Sequence, residues 1–180
     1  MTFDDGERSV FEHAFPVLRE LGVPGTVFVV VSPVGAPGLL RWDDLEALAE
    51  AGWEIGSHTV THACLTELDD ASLETELRGS REAIESMLGR PCRSIAYPHG
   101  ATDSRVRLAA VRAGYTAGCT TRGTMGTDPL DWPRVGVDGR DGRMLFELKT
   151  SRLGRTLRDT GLGAPLERTG RAVRSVGRSG

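Results

Sequence analysis

Apolar residues along the chain form two kinds of pattern, continuous runs and runs at helical spacing. The run Thr26–Val31 is β-branched and aromatic, which is typical of a parallel strand buried on both faces. Apolar residues between positions 10 and 21 instead recur at intervals of three and four, which predicts a helix that Gly22 ends. Pro16 lies within this helix and either kinks it or marks its true start.

The same alternation continues toward residue 153. Further strands are predicted at Trp53–Ser57, Arg93–Tyr97, Tyr115–Thr120 and Val135–Val137. Further helices are predicted at Asp43–Ala51, capped by Asp43, at Ser72–Leu88, capped by Asp70 or Ser72, and at Ser104–Ala113 and Arg143–Leu153. Strands that alternate with helices predict a parallel α/β architecture.

The first six residues carry two adjacent acids, Asp4 and Asp5, directly before Gly6. We interpret this stretch as the end of a short first strand, after which the glycine lets the chain turn sharply. Two carboxylates in one site oppose each other's ionisation, and a bound cation would remove that cost. A cation is therefore the simplest reason for the pair.

The sequence Ser57-His58-Thr-Val-Thr-His62 follows another predicted strand. On a helical turn, this spacing would put both imidazoles on one face, where they could hold one metal ion. One carboxylate of the Asp4–Asp5 pair would complete a site of two histidines and one acid, which suits catalytic zinc and other divalent metals. The second carboxylate could then act as a general base, which predicts metal-assisted hydrolysis of an amide or ester.

Composition and charge narrow the class of protein. The 180 residues predict one catalytic domain over 1–150 and a basic tail over 151–180. The tail could be a partly disordered end, or it could make a weak contact with anionic surfaces. Residues 1–150 carry an acidic excess, which argues against nucleic-acid binding by this part of the chain. The three cysteines, Cys64, Cys92 and Cys119, suggest neither a disulfide framework nor a zinc ribbon. Without a signal peptide or membrane-spanning run, we expect a cytoplasmic rather than a secreted protein, although an upstream segment could precede Met1.

Thr2-Phe-Asp-Asp-Gly6, together with Ser57-His58-x-x-x-His62, resembles the first two motifs of the polysaccharide deacetylase family, the NodB-homology domain of carbohydrate esterase family four. The resemblance implies a distorted β/α barrel of about seven strands, here with a truncated first strand. It also implies that Asp4 is the catalytic base and that Asp5, His58 and His62 bind a divalent metal. Zinc is the first choice for this metal, and cobalt, nickel or manganese are alternatives.

Later motifs match the family less closely. The segment Ile95-Ala-Tyr97-Pro98-His99-Gly100 stands where the family has Arg-Pro-Pro-Tyr-Gly, so the arginine is replaced. The backbone N–H of His99 could still belong to an oxyanion hole. In a subgroup of the family, an arginine after a proline orients the base, and this role would fall to Arg134. Trp132 could form a wall of a sugar site or belong to the core.

The family's late histidine, its general acid, has no counterpart, because no histidine follows His99. His99 could protonate the leaving group, Asp4 could act as both base and acid, or the activity could be weak. Residues Tyr97, Pro98, Gly100 and Trp132 are the predicted substrate contacts, and His13 has no predicted role.

The leading hypothesis is a metal-dependent hydrolase that removes acetyl groups from N-acetylated or O-acetylated sugars. A deformylase or cyclic-amide hydrolase with the same chemistry is one alternative. The other is a non-catalytic relative that binds carbohydrate, although a free base beside the metal argues against it.

Overall fold

Strands and helices alternate throughout the computed structural model, which describes residues 1–121, 126–137, 139–151 and 154. In chain order, the elements are β1 (Thr2–Phe3), α1 (Phe15–Glu20), β2 (Thr26–Val29), α2 (Trp42–Glu50), β3 (Glu54–Ser57), α3 (Asp70–Leu88), β4 (Ser94–Ala96), α4 (Ser104–Ala113), β5 (Ala117–Thr120), β6 (Trp132–Pro133) and α5 (Arg143–Thr150). This confirms the parallel α/β architecture that the sequence predicts.

The strands form a single parallel sheet in which each strand pairs with the next one along the chain, in the order β1 to β6. A sheet with sequential parallel strands and helical crossovers curls in the manner of a β/α barrel. The described residues contain six strands, against about seven predicted, and β1 has only two residues. The curl brings the two edges together, because Arg134, just after β6, donates a hydrogen bond to the Thr2 hydroxyl of β1 (2.9 Å).

The core lies between the sheet and the surrounding helices. Residues 27–29 of β2 are fully buried, as the continuous apolar run predicts. An aromatic cluster packs against β1, where Trp53 stacks on Phe3 at 5.7 Å and meets Phe15 edge-on at 5.6 Å. Aromatic contacts of this kind hold β1 on the sheet although the strand is very short.

Two helix starts differ from the predicted ones. Helix α2 begins one residue earlier than expected, so Asp43 lies inside its first turn and Arg41 is the N-cap, with its N–H donating to Asp44 (2.9 Å). Helix α3 is capped by Asp69, whose carboxylate accepts the N–H of Ser72 (2.7 Å). The predictions of Asp43, Asp70 and Ser72 were therefore wrong. Before α3, several neighbouring acids and hydroxyls are equally good caps by residue type, whereas Arg41 before α2 is not a residue type that favours this position.

The first helix explains the position of Pro16. A π-helical turn, Val10–Ala14, precedes α1, and Pro16 lies in the first turn of α1. Helical backbone runs from Arg8 through this π-helical turn into α1, and Ala14 before α1 is itself helical, so Pro16 does not mark the start of the helix. The irregularity beside the proline is the π-helical turn, in which the N–H of Phe15 donates to the Val10 carbonyl.

The end of the sheet lies earlier in the chain than predicted. Within the described residues the last strand is Trp132–Pro133, paired with Cys119 and Thr120, and the prediction of a strand at Val135–Val137 was wrong. The prediction relied on the β-branched side chains of Val135 and Val137, but both residues are exposed and neither is buried in the sheet. Helix α5 ends at Thr150, and nearly all of the predicted tail over 151–180 lies outside the described residues. None of the helices in the described ranges is long and apolar enough to cross a membrane.

Candidate functional site

The predicted site residues lie at one end of the sheet. Asp4 and Asp5 follow β1, His58 follows β3, His99 lies just after β4, and Arg134 follows β6. Parallel strands place their carboxyl ends at the same edge, which is where β/α barrels carry their active sites. The residues that the sequence singled out one by one therefore belong to one region.

The backbone of this region adopts an uncommon conformation. Among the described residues, positive φ angles outside glycine occur at Asp5 (68°), Thr59 (71°), His62 (66°) and His99 (59°). Three of these four are predicted site residues, and the fourth lies between the two histidines. Left-handed backbone costs a non-glycine residue about 1 kcal/mol or more, so it persists where the surrounding structure holds it and is concentrated at functional sites.

Asp5, His58 and His62 meet around one point. The Oδ1 atom of Asp5 lies 3.5 Å from the Nε2 atom of each histidine, and one ligand atom from each residue lies within 4.8 Å of the others. His58 is buried, His62 is partly buried, and the side chain of Asp5 is 57% exposed. The cluster therefore has a rigid inner side and an open outer side that a substrate could reach.

The donor set fits a divalent metal. A tetrahedral ion with bonds of about 2.1 Å separates its ligand atoms by roughly 3.4 Å, close to the 3.5 Å between Asp5 Oδ1 and the Nε2 atom of each histidine. His58 donates its Nδ1 proton to the carbonyl of Ala96 (2.6 Å), so its Nε2 carries the lone pair that faces Asp5. Burial lowers the pKa of His58, although the charge of Asp4 opposes this shift. A neutral imidazole is the form that binds a metal.

The two histidines do not meet through a helix, which corrects the helical turn considered for the His-x-x-x-His spacing. Residues 58–62 form an irregular loop, hereafter the histidine loop, directly after β3. The left-handed conformations of Thr59 and His62 fold the chain back, and the N–H of His62 donates to the Thr59 hydroxyl (3.1 Å). The rings of His58 and His62 end 4.7 Å apart.

Asp4 is turned to a different partner from Asp5. Arg134 donates two hydrogen bonds to the Asp4 carboxylate, one to each oxygen, and both are 2.7 Å long. We call this contact the edge bridge, because it joins the residues after the first and the last strand. A bidentate arginine fixes the plane of a carboxylate more firmly than a single contact does. This is the arrangement in which Arg134 orients Asp4.

Arg134 is held firmly and stays charged. Burial by itself lowers the pKa of Arg134, but the hydrogen bonds and the charge of Asp4 outweigh burial and raise this pKa above its ordinary value. The guanidinium carbon lies 5.3 Å from the centre of the Phe28 ring, where a cation–π contact adds support. Its Nε is buried without a hydrogen-bond partner within the described residues.

His99 lies next to His62, at the edge of the cluster formed by Asp5, His58 and His62. It occupies the middle of a short helical turn, Pro98–Gly100, and its left-handed backbone presents the imidazole edge-on to His62, with ring centres 4.8 Å apart. The sequence predicted His99 as a catalytic residue from its place in the third motif. The structure thus brings its ring next to that of His62, while its role stays a prediction.

The four predicted substrate contacts are placed differently from one another. Tyr97 is only 1% exposed and belongs to the core, so its ring is not available to a substrate, which corrects that prediction for its side chain. Pro98 and Gly100 are also buried. Trp132 is 50% exposed on the edge strand β6, which excludes the core alternative, and its contact with a sugar stays a prediction.

Several supporting residues were missed by the sequence reasoning. Glu76 of α3 accepts hydrogen bonds from the histidine loop, the Ala96 carbonyl orients His58, and Thr2 binds Arg134. Backbone carbonyls carry no sequence signal at all. The available signal for Glu76 was an acid on the face of α3 that also carries Leu73 and Leu77.

The chain is similar to known proteins along most of its described length. The family model described as polysaccharide deacetylase matches residues 1–118. A chitooligosaccharide deacetylase from Rhizobium leguminosarum is 33% identical over 144 residues, which cover 77% of this chain and 60% of that protein. The chain spans between 43% and 61% of the lengths of the first three curated relatives.

Solved structures agree with the fold. A polysaccharide deacetylase from Bacillus cereus, BC0361, is 30% identical, with a TM-score of 0.67 over 74% of this chain and 45% of that one. The deacetylase PplD from Streptococcus pyogenes has a TM-score of 0.74 over 78% of this chain and 65% of that one. Its identity to this chain is 23%, so that likeness concerns the fold alone.

Proposed function

The chain belongs to the polysaccharide deacetylase family, and from this premise we propose that it is a metal-dependent hydrolase that removes acetyl groups from N-acetylated sugars. One observation carries the proposal. The adjacent acids Asp4 and Asp5 are turned to different partners, Asp5 to two histidines and Asp4 to an arginine. A protein that only bound a metal or a sugar would have no use for the second, separately oriented carboxylate.

Asp5, His58 and His62 are the residues that would hold the metal, with zinc as our first choice. Once bound, such an ion supplies Lewis acidity, which polarises an acyl carbonyl and makes a water molecule easier to deprotonate. The exposed side of Asp5 leaves this region open to solvent and to a polymer chain.

Asp4 is the base in this proposal. Its carboxylate has about four lone-pair positions, and the two hydrogen bonds from Arg134 leave others free to accept a proton from water. The water oxygen forms a bond with the acyl carbon, and the carbon–nitrogen bond then breaks. Arg134 keeps the carboxylate in one orientation through both steps, because it cannot lose its own proton.

The leaving nitrogen must receive a proton, and we assign this transfer to His99. The assignment is supported by the ring of His99 lying 4.8 Å from that of His62, at the edge of the proposed metal site. The products are acetate and a free amine on the sugar. The relatives named chitooligosaccharide deacetylase support an oligomer of N-acetylglucosamine as the substrate class.

The test measures acetate release from N-acetylglucosamine oligomers by the purified chain after removal of metal and reloading with Zn²⁺. We expect release by the wild-type protein, loss of release with a chelator, and loss in His62→Ala. His13→Ala is the matched control, because His13 is exposed on the π-helical turn before α1 and is not one of the three clustered residues.

Other outcomes separate the alternatives. Wild-type protein that binds Zn²⁺ and the oligomer but releases no acetate would contradict the enzymatic proposal and identify a carbohydrate-binding relative. Turnover of an N-formyl sugar or a cyclic amide in place of the acetylated oligomer would reassign the substrate while keeping the hydrolytic chemistry.

A further inference from the structure

We propose that Glu76 is a positioning residue that sets the shape of the histidine loop and thereby the metal affinity of the site. Glu76 belongs to α3 and contributes no atom to the metal cluster. The inference rests on the proposed metal binding. Its test distinguishes a failure of the positioning role of Glu76 from a failure of metal binding itself.

Both carboxylate oxygens of Glu76 are occupied by the histidine loop. Oε2 accepts the backbone N–H groups of Val60 (2.8 Å) and Thr61 (3.0 Å), and Oε1 accepts the Thr61 hydroxyl (2.6 Å). Glu76 is 8% exposed. A carboxylate buried to this extent is costly unless it is fully hydrogen-bonded, so these contacts account for an acid on the inner face of α3.

The loop needs such a partner because its backbone is irregular. The left-handed residues Thr59 and His62 stand on either side of Val60 and Thr61, so the N–H groups of the latter pair have no place in a helix or sheet ladder. A partly buried backbone donor outside a ladder needs another acceptor. Glu76 supplies that acceptor for both donors, with a full negative charge.

The opposite side of the loop is held by the sheet. The N–H of Val31 donates to the Thr59 carbonyl (3.1 Å), and the N–H of Ser32 donates to the Val60 carbonyl (2.9 Å). The loop is thus fixed between the end of β2 and helix α3. Each contact lies within two residues of His58 or His62, the proposed metal ligands. Loss of the hydrogen bonds from Glu76 of α3 would therefore let both imidazoles move relative to Asp5.

One turn further along α3, Ser80 supports the start of the loop. Its hydroxyl accepts a hydrogen bond from Ser57 (2.8 Å), and the Ser57 oxygen in turn accepts the N–H of Thr59 (3.0 Å). This contact remains when Glu76 is replaced. We therefore expect a Glu76 variant to keep the loop attached but to lose its exact spacing of the imidazoles.

The experiment compares Glu76→Ala and Glu76→Gln with Glu74→Ala as the matched control. Glu74 lies on the exposed face of the same helix, paired with Arg78. The dissociation constant for Zn²⁺ is measured by competition with a chromophoric chelator, well below the melting temperature. Substitutions of partners outside the ligand set weaken metal binding by about 10- to 100-fold, which is the effect expected for Glu76→Ala.

Glu76→Gln should weaken Zn²⁺ binding less, because the amide oxygen can still accept both backbone N–H groups and the amide nitrogen can donate to the Thr61 hydroxyl. Melting temperatures are recorded with and without Zn²⁺, because at a fixed Zn²⁺ concentration a tighter-binding protein is stabilised more. A positioning role predicts a smaller increase on adding Zn²⁺ in the Glu76 variants, whereas a purely structural role lowers both temperatures equally.

The outcomes are distinct from one another. If wild-type protein binds no Zn²⁺, the proposed function fails. If wild-type protein binds Zn²⁺ and the Glu76 variants bind it as tightly as Glu74→Ala, the positioning role is overturned. Should Glu76→Ala not fold, Glu76→Gln and Thr61→Val, which removes only the hydroxyl contact, decide the question by the same comparison.

Discussion

The two sides of the candidate site are built in different ways. The histidine loop is fixed by hydrogen bonds from β2, β4 and α3, and His58 itself is 3% exposed. The edge bridge joins the residues after β1 and β6 through the side-chain pair of Asp4 and Arg134, with Thr2 as a further acceptor. Within the described residues, the histidine loop is therefore supported from three elements, whereas the orientation of Asp4 depends mainly on Arg134.

This difference indicates how each side should respond to mutation. A lost contact in the histidine loop leaves others that hold the backbone near its position. Hydrogen bonds to charged groups contribute about 1.5–3 kcal/mol each, so the edge bridge concentrates much of its support in one residue. We therefore expect metal binding and catalysis to be separable. Metal binding should depend on the histidine loop and Asp5, and catalysis should depend on the edge bridge of Asp4 and Arg134.

The largest expected effect separates the two adjacent acids. Asp4→Asn should lower kcat for acetate release by about 10²- to 10⁴-fold, the usual contribution of a general base, while Zn²⁺ affinity changes little. Asp5→Asn should lose Zn²⁺ affinity and activity together, because the amide is a poor replacement for an anionic ligand. Steady-state kinetics and chelator competition on both variants provide the measurement.

This pair has a clear contrary result. If Asp4→Asn loses Zn²⁺ as completely as Asp5→Asn does, both acids take part in metal binding. The histidine loop and the edge bridge would then not have separate functions. Glu7→Gln, at the next exposed acid along the chain, serves as the control for a change of charge near the site.

The next effect concerns Arg134. Arg134→Ala should lower kcat by about 10- to 100-fold, since Asp4 loses the partner that orients it. Arg134→Lys should remain impaired, because an ammonium group keeps the charge but cannot make the bidentate contact. Zn²⁺ affinity should stay near the wild-type value in both variants.

Arg112→Ala, at an exposed position near the end of α4, controls for the loss of a positive charge. Full activity in Arg134→Lys would mean that charge alone is required at this position. Loss of Zn²⁺ from the Arg134 variants would mean that the edge bridge supports the metal side as well.

A smaller effect is expected at Arg107, which contacts the segment before Arg134 rather than the edge bridge itself. Arg107 of α4 contacts Asp128 (3.2 Å) and Asp131 (3.4 Å), in the segment that leads into β6 and Arg134. Arg107→Met should lower kcat by less than Arg134→Ala does, because partly exposed ion pairs contribute only about 1 kcal/mol. If the two variants are equally impaired, the bridge depends on the whole β6 segment rather than on Arg134 itself.

The smallest expected effect is at Trp132. Its exposed ring can stack on a sugar, and contacts of this kind contribute about 0.5–1.5 kcal/mol. Trp132→Ala should therefore raise KM for the oligomer by about 2- to 10-fold with little change in kcat. An unchanged KM for long and short oligomers alike would remove Trp132 from the substrate site.

Residue types and their order predicted much of the fold and the donor set. The apolar run of β2 and the helical spacing in α3 predicted buried elements that the structure contains. His58, His62 and one carboxylate of the Asp4–Asp5 pair were identified by type and by their position after predicted strands, and the family resemblance singled out Asp5. The fold inferences succeeded because periodicity is a local property of a chain, and strand ends of a parallel sheet share one edge, which is why these three residues lie together.

Other features could not be predicted from the sequence. The His-x-x-x-His spacing is compatible with a helical turn, yet the loop closes through left-handed residues that α3 and β2 hold in place. The cap of α3 could have been any of several neighbouring polar residues. Glu76 is 14 positions beyond His62, and no local pattern connects the two.

By itself, the sequence determined the alternation of strands and helices, the metal-binding residue types and their place at the carboxyl ends of the strands. Only the tertiary structure decided that Asp5 faces the histidines while Asp4 faces Arg134, because adjacent side chains diverge according to what the curled sheet brings near each of them. Arg134 lies 130 positions from Asp4, and the curl of the sheet makes them neighbours.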